Sequence, residues 1–222
     1  MADRRPARAA LHTAGELALG VALDQLVRRN LRGIWVRGEL PNSAAVWTAN
    51  HHSWWDYFAA AGALRAAGHP EVAVLVDAAG MPRPGALRMA GVVLTTELRT
   101  ALRKLASGAV LVVFPEGQLR PAGPVGPLRP GARWLADTAG VPLLVVATRV
   151  LLRGNQAPEA YLDVSAALGP QEDPQRRLGT AVDDLDAELA GADPMLPLPG
   201  FRRTVRGVRS WNERFGGAMV RS

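Results

Sequence analysis

The sequence contains no cysteine, and among its 26 basic residues only Lys104 is a lysine. Without cysteine the chain can form no disulfide, has no thiol nucleophile and offers no cysteine ligand to a metal. No stretch of apolar residues reaches the roughly 18–20 that cross a bilayer. The short apolar run at 17–23 lies between Glu16 and Asp24 and lacks a small-residue cleavage pattern, so it does not indicate a signal peptide. We therefore expect a cytoplasmic protein.

The charge balance points to an anionic partner. Basic residues number 26 against 20 acidic ones, which gives a net charge of +6. A membrane surface, a phosphorylated substrate, an acyl carrier protein and a nucleic acid all carry the complementary charge. No basic and aromatic motif of a nucleic-acid-binding module is present, so we expect no nucleic acid partner.

Short apolar runs alternate with helical patterns along the chain, and 48% of the residues are apolar. This pattern predicts one α/β domain with a central, mostly parallel sheet flanked by helices. Helices are predicted after Ser53, at 85–90, from Thr96, from Pro130 and at 174–190. Strands are predicted at 34–36, 44–47, 71–76, 92–94, 109–114 and 142–147, with an edge strand at 161–164.

Both ends of the chain carry amphipathic patterns. Residues 7–30 place apolar side chains at helical spacing, with arginines before and after them. Residues 202–215, on a helical wheel, place apolar side chains opposite four arginines. We therefore divide the chain into an N-terminal amphipathic helix (1–32), a central domain (33–200) and a basic amphipathic C-terminal tail (201–222). Each end either packs on the domain or lies on an anionic bilayer.

One heptapeptide at 50–56, Asn-His-His-Ser-Trp-Trp-Asp, combines histidine with a carboxylate at a strand-to-helix turn. Ser53 is placed to cap the helix, and Asp56 falls in its first turn. Five helical positions leave two side chains about 140° apart, so His51 meets Asp56 only if it lies outside the helix and folds back over its start. A carboxylate that holds one imidazole nitrogen leaves the other free as a general base. The alternatives are a buried histidine satisfied by the backbone and a zinc site that includes His52.

A second motif, Phe-Pro-Glu-Gly-Gln-Leu-Arg, occupies 114–120 directly after an apolar strand. Glu116 and Gly117 then stand at the carboxyl end of that strand, where open α/β sheets bind ligands. The motif opens a loop rich in proline and glycine, 115–130, and long loops in compact domains are usually functional or mobile. Taken alone, the motif also fits an ordinary turn.

In their order and separation, the two motifs resemble those of the glycerolipid acyltransferases, over roughly residues 33–170. The first family motif, Asn-His-x-Ser-x-x-Asp, is matched by Asn50, His51, Ser53 and Asp56. The third, Phe-Pro-Glu-Gly followed closely by arginine, is matched at 114–117 and by Arg120.

The resemblance implies the fold of that family, with 33–200 as an acyltransferase domain, and it implies an O-acyltransferase. A fatty acyl chain would pass from acyl-CoA or acyl carrier protein to a lipid hydroxyl, most often that of lysophosphatidate in phospholipid biosynthesis, without cofactor or metal. The enzyme would act peripherally on an anionic membrane, at the inner face of the cell membrane. The base would be His51, oriented by Asp56, and the implied substrate-binding residues are Asn50, Ser53, Glu116, Gly117 and Arg120.

Departures from the family pattern leave the acceptor open. Arg120 falls one place later than the family arginine, and Glu97 stands where the second motif has an arginine. Val145 replaces the second proline of the fourth motif. One alternative is therefore a neutral acceptor such as a glycolipid or a lipid alcohol. Another is a catalytically inactive membrane-surface protein of the same fold.

Overall fold

Eight strands form one sheet in the computed structural model, which describes residues 20–69, 71–77 and 91–215. Their order across the sheet is β4-β3-β5-β2-β6-β7-β1-β8. Along the chain the strands are β1 (Gly33–Arg37), β2 (Ala45–Ala49), β3 (Val72–Val76), β4 (Val92–Leu94), β5 (Val110–Val113), β6 (Leu143–Leu151), β7 (Glu159–Val164) and β8 (Arg202–Arg206).

Five neighbouring strands, from β4 across to β6, run parallel. Their carboxyl ends therefore lie along one edge of the sheet, which we name the carboxyl edge. Strand β7 pairs antiparallel with β6 and parallel with β1, and β8 pairs antiparallel with β1. Consequently β1 and β7 begin at the carboxyl edge and β8 ends there. The prediction of an α/β fold with a mostly parallel sheet is confirmed.

Helices cover both faces of the sheet, because each face of a buried parallel sheet must be shielded from water. One face packs against α1 (20–30) and α2 (Asp56–Ala66), and the other against α3 (Leu98–Ala106), α4 (Gly131–Ala139) and α5 (Pro174–Gly191). A short helix, α6 (Trp211–Phe215), follows β8. Within the described ranges, no helix combines the length and apolar character that crossing a bilayer requires.

The first described turns of the chain pack on the domain. In its described part the predicted helix over 7–30 is helical, and Val27 and Leu31 are buried in the core of the α2 face. Residues 7–19 of that prediction and the whole predicted helix at 85–90 lie outside the described residues.

The predicted edge position of the strand at 161–164 is wrong. Strand β7 lies inside the sheet, between β6 and β1, and its apolar side chains are buried. On one side it pairs with β1, the first described strand, and this long-range pairing leaves no local trace in the sequence of β7.

The predicted helix over 202–215 is wrong for its first five residues. Arg202–Arg206 form β8, which pairs with β1 and buries Val205 against the core. An arginine-rich segment with one inward valine fits a strand as well as a helix, and the unpaired edge of β1 decides between them because its N–H and C=O groups gain partners. Helical structure resumes at Trp211.

A buried ionic cluster ties the two ends of the described chain together. Glu159, at the start of β7, is fully buried and pairs with the Arg32 guanidinium. The Tyr161 hydroxyl donates a hydrogen bond of 2.7 Å to the same carboxylate, and burial together with that carboxylate raises the pKa of Tyr161 to about 12. Arg32 also donates to Glu213 of α6 at 2.9 Å. Residues before β1, in β7 and in α6 therefore share one charge network.

Glu159→Ala should lower the free energy of unfolding by about 3 kcal/mol, because a buried guanidinium then loses its main carboxylate. Glu71→Ala is the matched control, since Glu71 pairs with Lys104 near the surface and should contribute less than about 1 kcal/mol. Urea titration of both variants measures the difference. Equal, small losses would contradict the assignment of Glu159 as the centre of the network.

Candidate active site

Asn50 fixes the end of β2 to the neighbouring strand β6. Its side-chain amide donates to the Thr148 carbonyl at 3.1 Å, and its Oδ1 accepts the Thr148 N–H at 2.8 Å. The side chain is buried, and both of its polar ends are used by the backbone of β6. Asn50 thereby sets the position of the next residue, His51, at the carboxyl edge. Its predicted contact with substrate stays a prediction.

Asp56, the first residue of α2, organises the turn that precedes the helix. Its Oδ2 accepts the backbone N–H groups of His52 and Ser53, each at 2.8 Å. It also lies 2.9 Å from Nδ1 of His51, so His51 folds back over the start of the helix as the spacing predicts. Ser53 does not cap α2, because its hydroxyl accepts only the N–H of Trp55, which itself precedes the helix. The carboxylate stabilises the turn instead.

The His51 ring is held on two sides. Its Nδ1 faces the fully buried carboxylate of Asp56, and the ring stacks on Phe114 with centroids 4.3 Å apart. A proton on Nδ1 directed at Asp56 leaves the lone pair of Nε2 free to accept another proton. The side chain is 24% exposed, so substrate can reach it. This is the geometry of a general base with an orienting carboxylate.

Glu116 joins the second motif to the first. Its Oε1 accepts the backbone N–H of His51 at 3.0 Å, and its Oε2 accepts that of Gly126 at 2.9 Å. Arg120 lies with Nε 3.2 Å from the same carboxylate, and its backbone N–H donates to the His51 carbonyl at 2.8 Å. The second motif therefore holds the backbone of His51 through both its N–H and its carbonyl.

Gly117 has a backbone conformation that favours glycine, and the Arg129 guanidinium approaches it closely. Its φ of +71° is in the left-handed region, and a Cβ there would lie 2.7 Å from Cζ of Arg129. Arg129 thus passes over the Pro-Glu-Gly turn, and its side chain is 64% exposed. The nearest carboxylate is that of Asp77, at 3.5 Å. Sequence reasoning missed Arg129, which lies outside both motifs at the far end of the 115–130 loop.

A cleft of about 730 Å³ opens beside this turn. His51, Phe114 and Gly117 line it from one side, and Arg129 supplies a guanidinium. Apolar side chains from the ends of β3 and β5 and from α3 and α4 form most of its wall. Arg120 is not part of the lining, because its side chain turns toward Glu116 and Gly126.

The proline-rich loop 115–130 is pinned by residues far away in the sequence. Gln175, in the first turn of α5, accepts the Leu128 N–H at 2.8 Å and donates to the Gly126 carbonyl at 3.1 Å. Arg149 of β6 donates to the Gly123 carbonyl at 3.0 Å while it holds Asp186 in a bidentate pair. Sequence reasoning missed both residues, since only the fold brings them to the loop. They restrict the movement of the cleft wall.

His52 has a different environment from His51. Burial lowers the pKa of its imidazole, and Nε2 accepts the Val150 N–H at 3.2 Å. The side chain is therefore a neutral acceptor that anchors the turn to β6. In the part of the chain that the structure describes, no group of three His, Cys, Asp or Glu side chains is placed to hold a metal ion.

The family model for acyltransferases matches residues 29–149, which is more than half of the chain. The chain belongs to the acyltransferase family. This membership confirms the prediction of an acyltransferase and the resemblance at the level of that family. The matched range contains both motifs and the whole turn around His51.

The fold of this acyltransferase is similar to that of a solved enzyme. The crystal structure of the 1-acyl-sn-glycerophosphate (LPA) acyltransferase PlsC from Thermotoga maritima superposes with a TM-score of 0.55. The sequences are 21% identical, and the match covers 86% of this chain and 85% of that one. A search of curated protein sequences found no significant match.

The structure brings the seven predicted site residues of the acyltransferase around one turn. His51 and Gly117 face the cleft. Three are buried behind it, namely Asn50, Asp56 and Glu116. Ser53 and Arg120 are partly exposed beside the turn and outside the cleft lining. Their individual roles in catalysis and substrate binding stay predictions.

His51→Ala should reduce kcat by about 10²–10⁴-fold, because it removes the positioned base. Asp56→Asn should also be severely impaired, since an amide nitrogen cannot accept the hydrogen bonds that the carboxylate accepts. His52→Ala is the control: it should retain most activity while it loses about 1–3 kcal/mol of stability through the orphaned Val150 N–H. Steady-state rates and urea unfolding measure these effects. Loss of activity with EDTA, restored by zinc, would instead favour the metal alternative.

Proposed function

We propose that this acyltransferase moves a fatty acyl chain from acyl-CoA or acyl carrier protein to the hydroxyl of lysophosphatidate, a step of phospholipid biosynthesis. The observation that carries the proposal is the His51 ring, held by Asp56 on one side and open to an apolar cleft on the other. The family match supplies the reaction class. The acceptor, the donor and the residue roles are our inference.

The proposed reaction uses the two substrates and side chains of the protein. Nε2 of His51 takes the proton of the acceptor hydroxyl while that oxygen attacks the thioester carbonyl. The tetrahedral intermediate collapses, the carbon–sulfur bond breaks, and the thiolate recovers the proton from His51 as an ester forms. Asp56 stabilises the imidazolium that exists between these two transfers. No cofactor takes part in this scheme.

The cleft has the size and character of a lipid site. Its volume of about 730 Å³ lies in the range of ligand pockets, and its apolar wall suits a hydrocarbon chain. Both reacting partners carry such a chain, and their reacting ends are polar. The polar residues that line the cleft include His51, Arg129 and Asp77.

Arg129 is the better placed phosphate ligand. Its guanidinium lies over Gly117 and lines the same cleft as His51, whereas Arg120 lies against Glu116. We therefore assign the acceptor phosphate to Arg129. The Arg120 side chain then acts through Glu116, because its Nε lies 3.2 Å from the Glu116 carboxylate, whose Oε1 accepts the His51 N–H at 3.0 Å. This assignment differs from the residue that the family motif predicts.

A neutral acceptor is the second candidate. Asp77 lies 3.5 Å from Arg129, and it also lines the cleft. Its negative charge offsets part of the attraction that Arg129 offers a phosphate. A glycolipid or lipid alcohol carries no phosphate that the Asp77 carboxylate would repel. An inactive protein of the same fold is the third possibility, against which the intact His51–Asp56 pair argues.

We place the enzyme at the cytoplasmic face of the cell membrane, bound peripherally. Its acceptor resides in a bilayer, and the net charge of +6 favours an anionic surface. An acyl carrier protein, which is also anionic, is equally suited as a donor partner. We propose no nucleic acid partner.

The function is tested by following the free thiol released from acyl-CoA. Release should require an acceptor, and lysophosphatidate should support it better than an uncharged lipid alcohol of equal chain length. His51→Ala is the negative control. A higher kcat/KM with the uncharged alcohol would establish the neutral acceptor, and no release with either acceptor from either donor would favour the inactive protein.

Arg129→Ala should raise the KM for lysophosphatidate about tenfold or more, since a charge-assisted contact contributes roughly 1.5–3 kcal/mol. The KM for the uncharged alcohol should stay constant. Arg120→Ala, which removes the same charge, should lower kcat more than it raises the acceptor KM. If Arg120→Ala alone raises the lysophosphatidate KM, the phosphate belongs to Arg120, as the motif predicts.

A further inference from the structure

The large apolar side chains that the domain exposes are concentrated at the carboxyl edge. Three of them, Leu98, Leu119 and Trp134, line the cleft and are 38%, 57% and 48% exposed. Leu98 follows β4 and Leu119 follows β5, so both leave the sheet at this edge. Apolar side chains therefore line the cleft and are also exposed to solvent at its entrance.

A second apolar group lies beyond β6 on the same edge. Leu152, directly after β6, is 65% exposed, and Leu196 is 60% exposed. Their neighbours are hydrogen bonded: Gly154 N–H donates to the Pro194 carbonyl at 3.0 Å, and Arg153 donates to the Leu196 carbonyl at 2.8 Å. The loop after β6 and the segment at 193–196 therefore form one exposed surface.

Two exposed tryptophans connect these groups. Trp54, 60% exposed, follows the catalytic turn, which His52 anchors to Val150 at the end of β6. Trp211, 65% exposed, begins α6 after β8, and its N–H donates to Gln156 in the loop after β6. Both tryptophans stand at the edge where His51 is open to the cleft. Tryptophan is the side chain that favours the headgroup layer of a bilayer.

Exposed arginines surround this apolar edge. Arg28 and Arg29 lie at the end of α1 next to the start of β1, Arg206 ends β8, Arg209 follows it, and Arg129 borders the cleft. Acids in the described part of this edge include Glu97, Asp77, which pairs with Arg129, Asp193, whose carboxylate accepts the Met195 N–H, and Glu213, which accepts a hydrogen bond from Arg32. Each arginine near an anionic surface contributes about 1 kcal/mol of attraction.

We infer that the carboxyl edge is the membrane-docking face, and that its occupant is an anionic lipid bilayer. Apolar and tryptophan side chains enter the headgroup layer while arginines contact lipid phosphates. A second copy of the chain fits poorly, because it would bring these arginines against one another. The inference deepens the proposed function: docked in this way, the cleft entrance and His51 face the bilayer that supplies the acceptor.

The test compares two substitutions that change the charge equally. Leu152→Glu, at the carboxyl edge, should weaken partitioning of the full chain into phosphatidylglycerol-containing vesicles about tenfold. Val21→Glu is the matched control, since Val21 is 59% exposed on α1 and lies outside the two apolar groups; it should change partitioning less than about twofold. Leu152→Glu/Leu196→Glu should weaken it further. Circular dichroism melts establish that each variant is folded.

Equal losses of vesicle partitioning for Leu152→Glu and Val21→Glu would overturn the proposal, because the added negative charge alone would then explain both. A larger loss for Val21→Glu would place docking on α1. Absence of vesicle binding by the native chain, or a dimer that Leu152→Glu dissociates, would also overturn it. The binding assay involves no turnover, so failure of the proposed acyl transfer leaves this result intact. The full chain is used because β8 and α6 belong to the fold.

Vesicles with brominated acyl chains give an independent measurement. Trp35 and Trp47 are buried in the domain, so docking through this edge should quench the emission of the exposed tryptophans and leave a protected fraction. Trp211→Phe should reduce the quenched fraction. Unquenched emission from a vesicle-bound chain would overturn the proposal.

Discussion

The active site depends on one oxygen atom, Oδ2 of Asp56. It receives the backbone N–H groups of His52 and Ser53 and faces Nδ1 of His51, so one buried carboxylate both shapes the turn and orients the His51 imidazole. A buried carboxylate is stable only when its charge is met by donors, and here the donors are the residues that must be positioned. The stability of the turn and the alignment of His51 are therefore the same interaction.

Hydrogen bonds hold this turn to the sheet, and they hold the 115–130 loop to the turn. Asn50 attaches the end of β2 to β6, and Glu116 attaches the start of the 115–130 loop to His51. Gln175 and Arg149 then hold the far parts of that loop to α5 and β6. These attachments to the sheet and to α5 explain how a long loop rich in proline and glycine keeps a defined cleft beside His51.

Exposed arginines and exposed apolar side chains lie along the same carboxyl edge. The buried pair Arg32–Glu159 and the pair Arg149–Asp186, in which only the arginine is buried, connect elements of the fold. Exposed arginines lie on the surface, near the exposed tryptophans and leucines that follow the strands. His51 at the carboxyl edge, an apolar cleft entrance and a basic rim are the features on which we base the proposal that this edge faces a lipid surface.

Much of the fold and of the candidate site was predictable from local sequence. Continuous apolar runs identified six strands of the sheet, and the spacing of His51 and Asp56 required the folded-back turn that the structure shows. The sequence alone also determined the family, because two ordered motifs carry the catalytic turn and its partner loop. What only the tertiary structure decided depends on distant pairing. The interior position of β7 and the strand at 202–206 both follow from β1, and Arg129, Gln175 and Arg149 reach the site through contacts across the fold. No local pattern encodes these, since their energy comes from groups that are far apart in the chain and meet only when the sheet has formed.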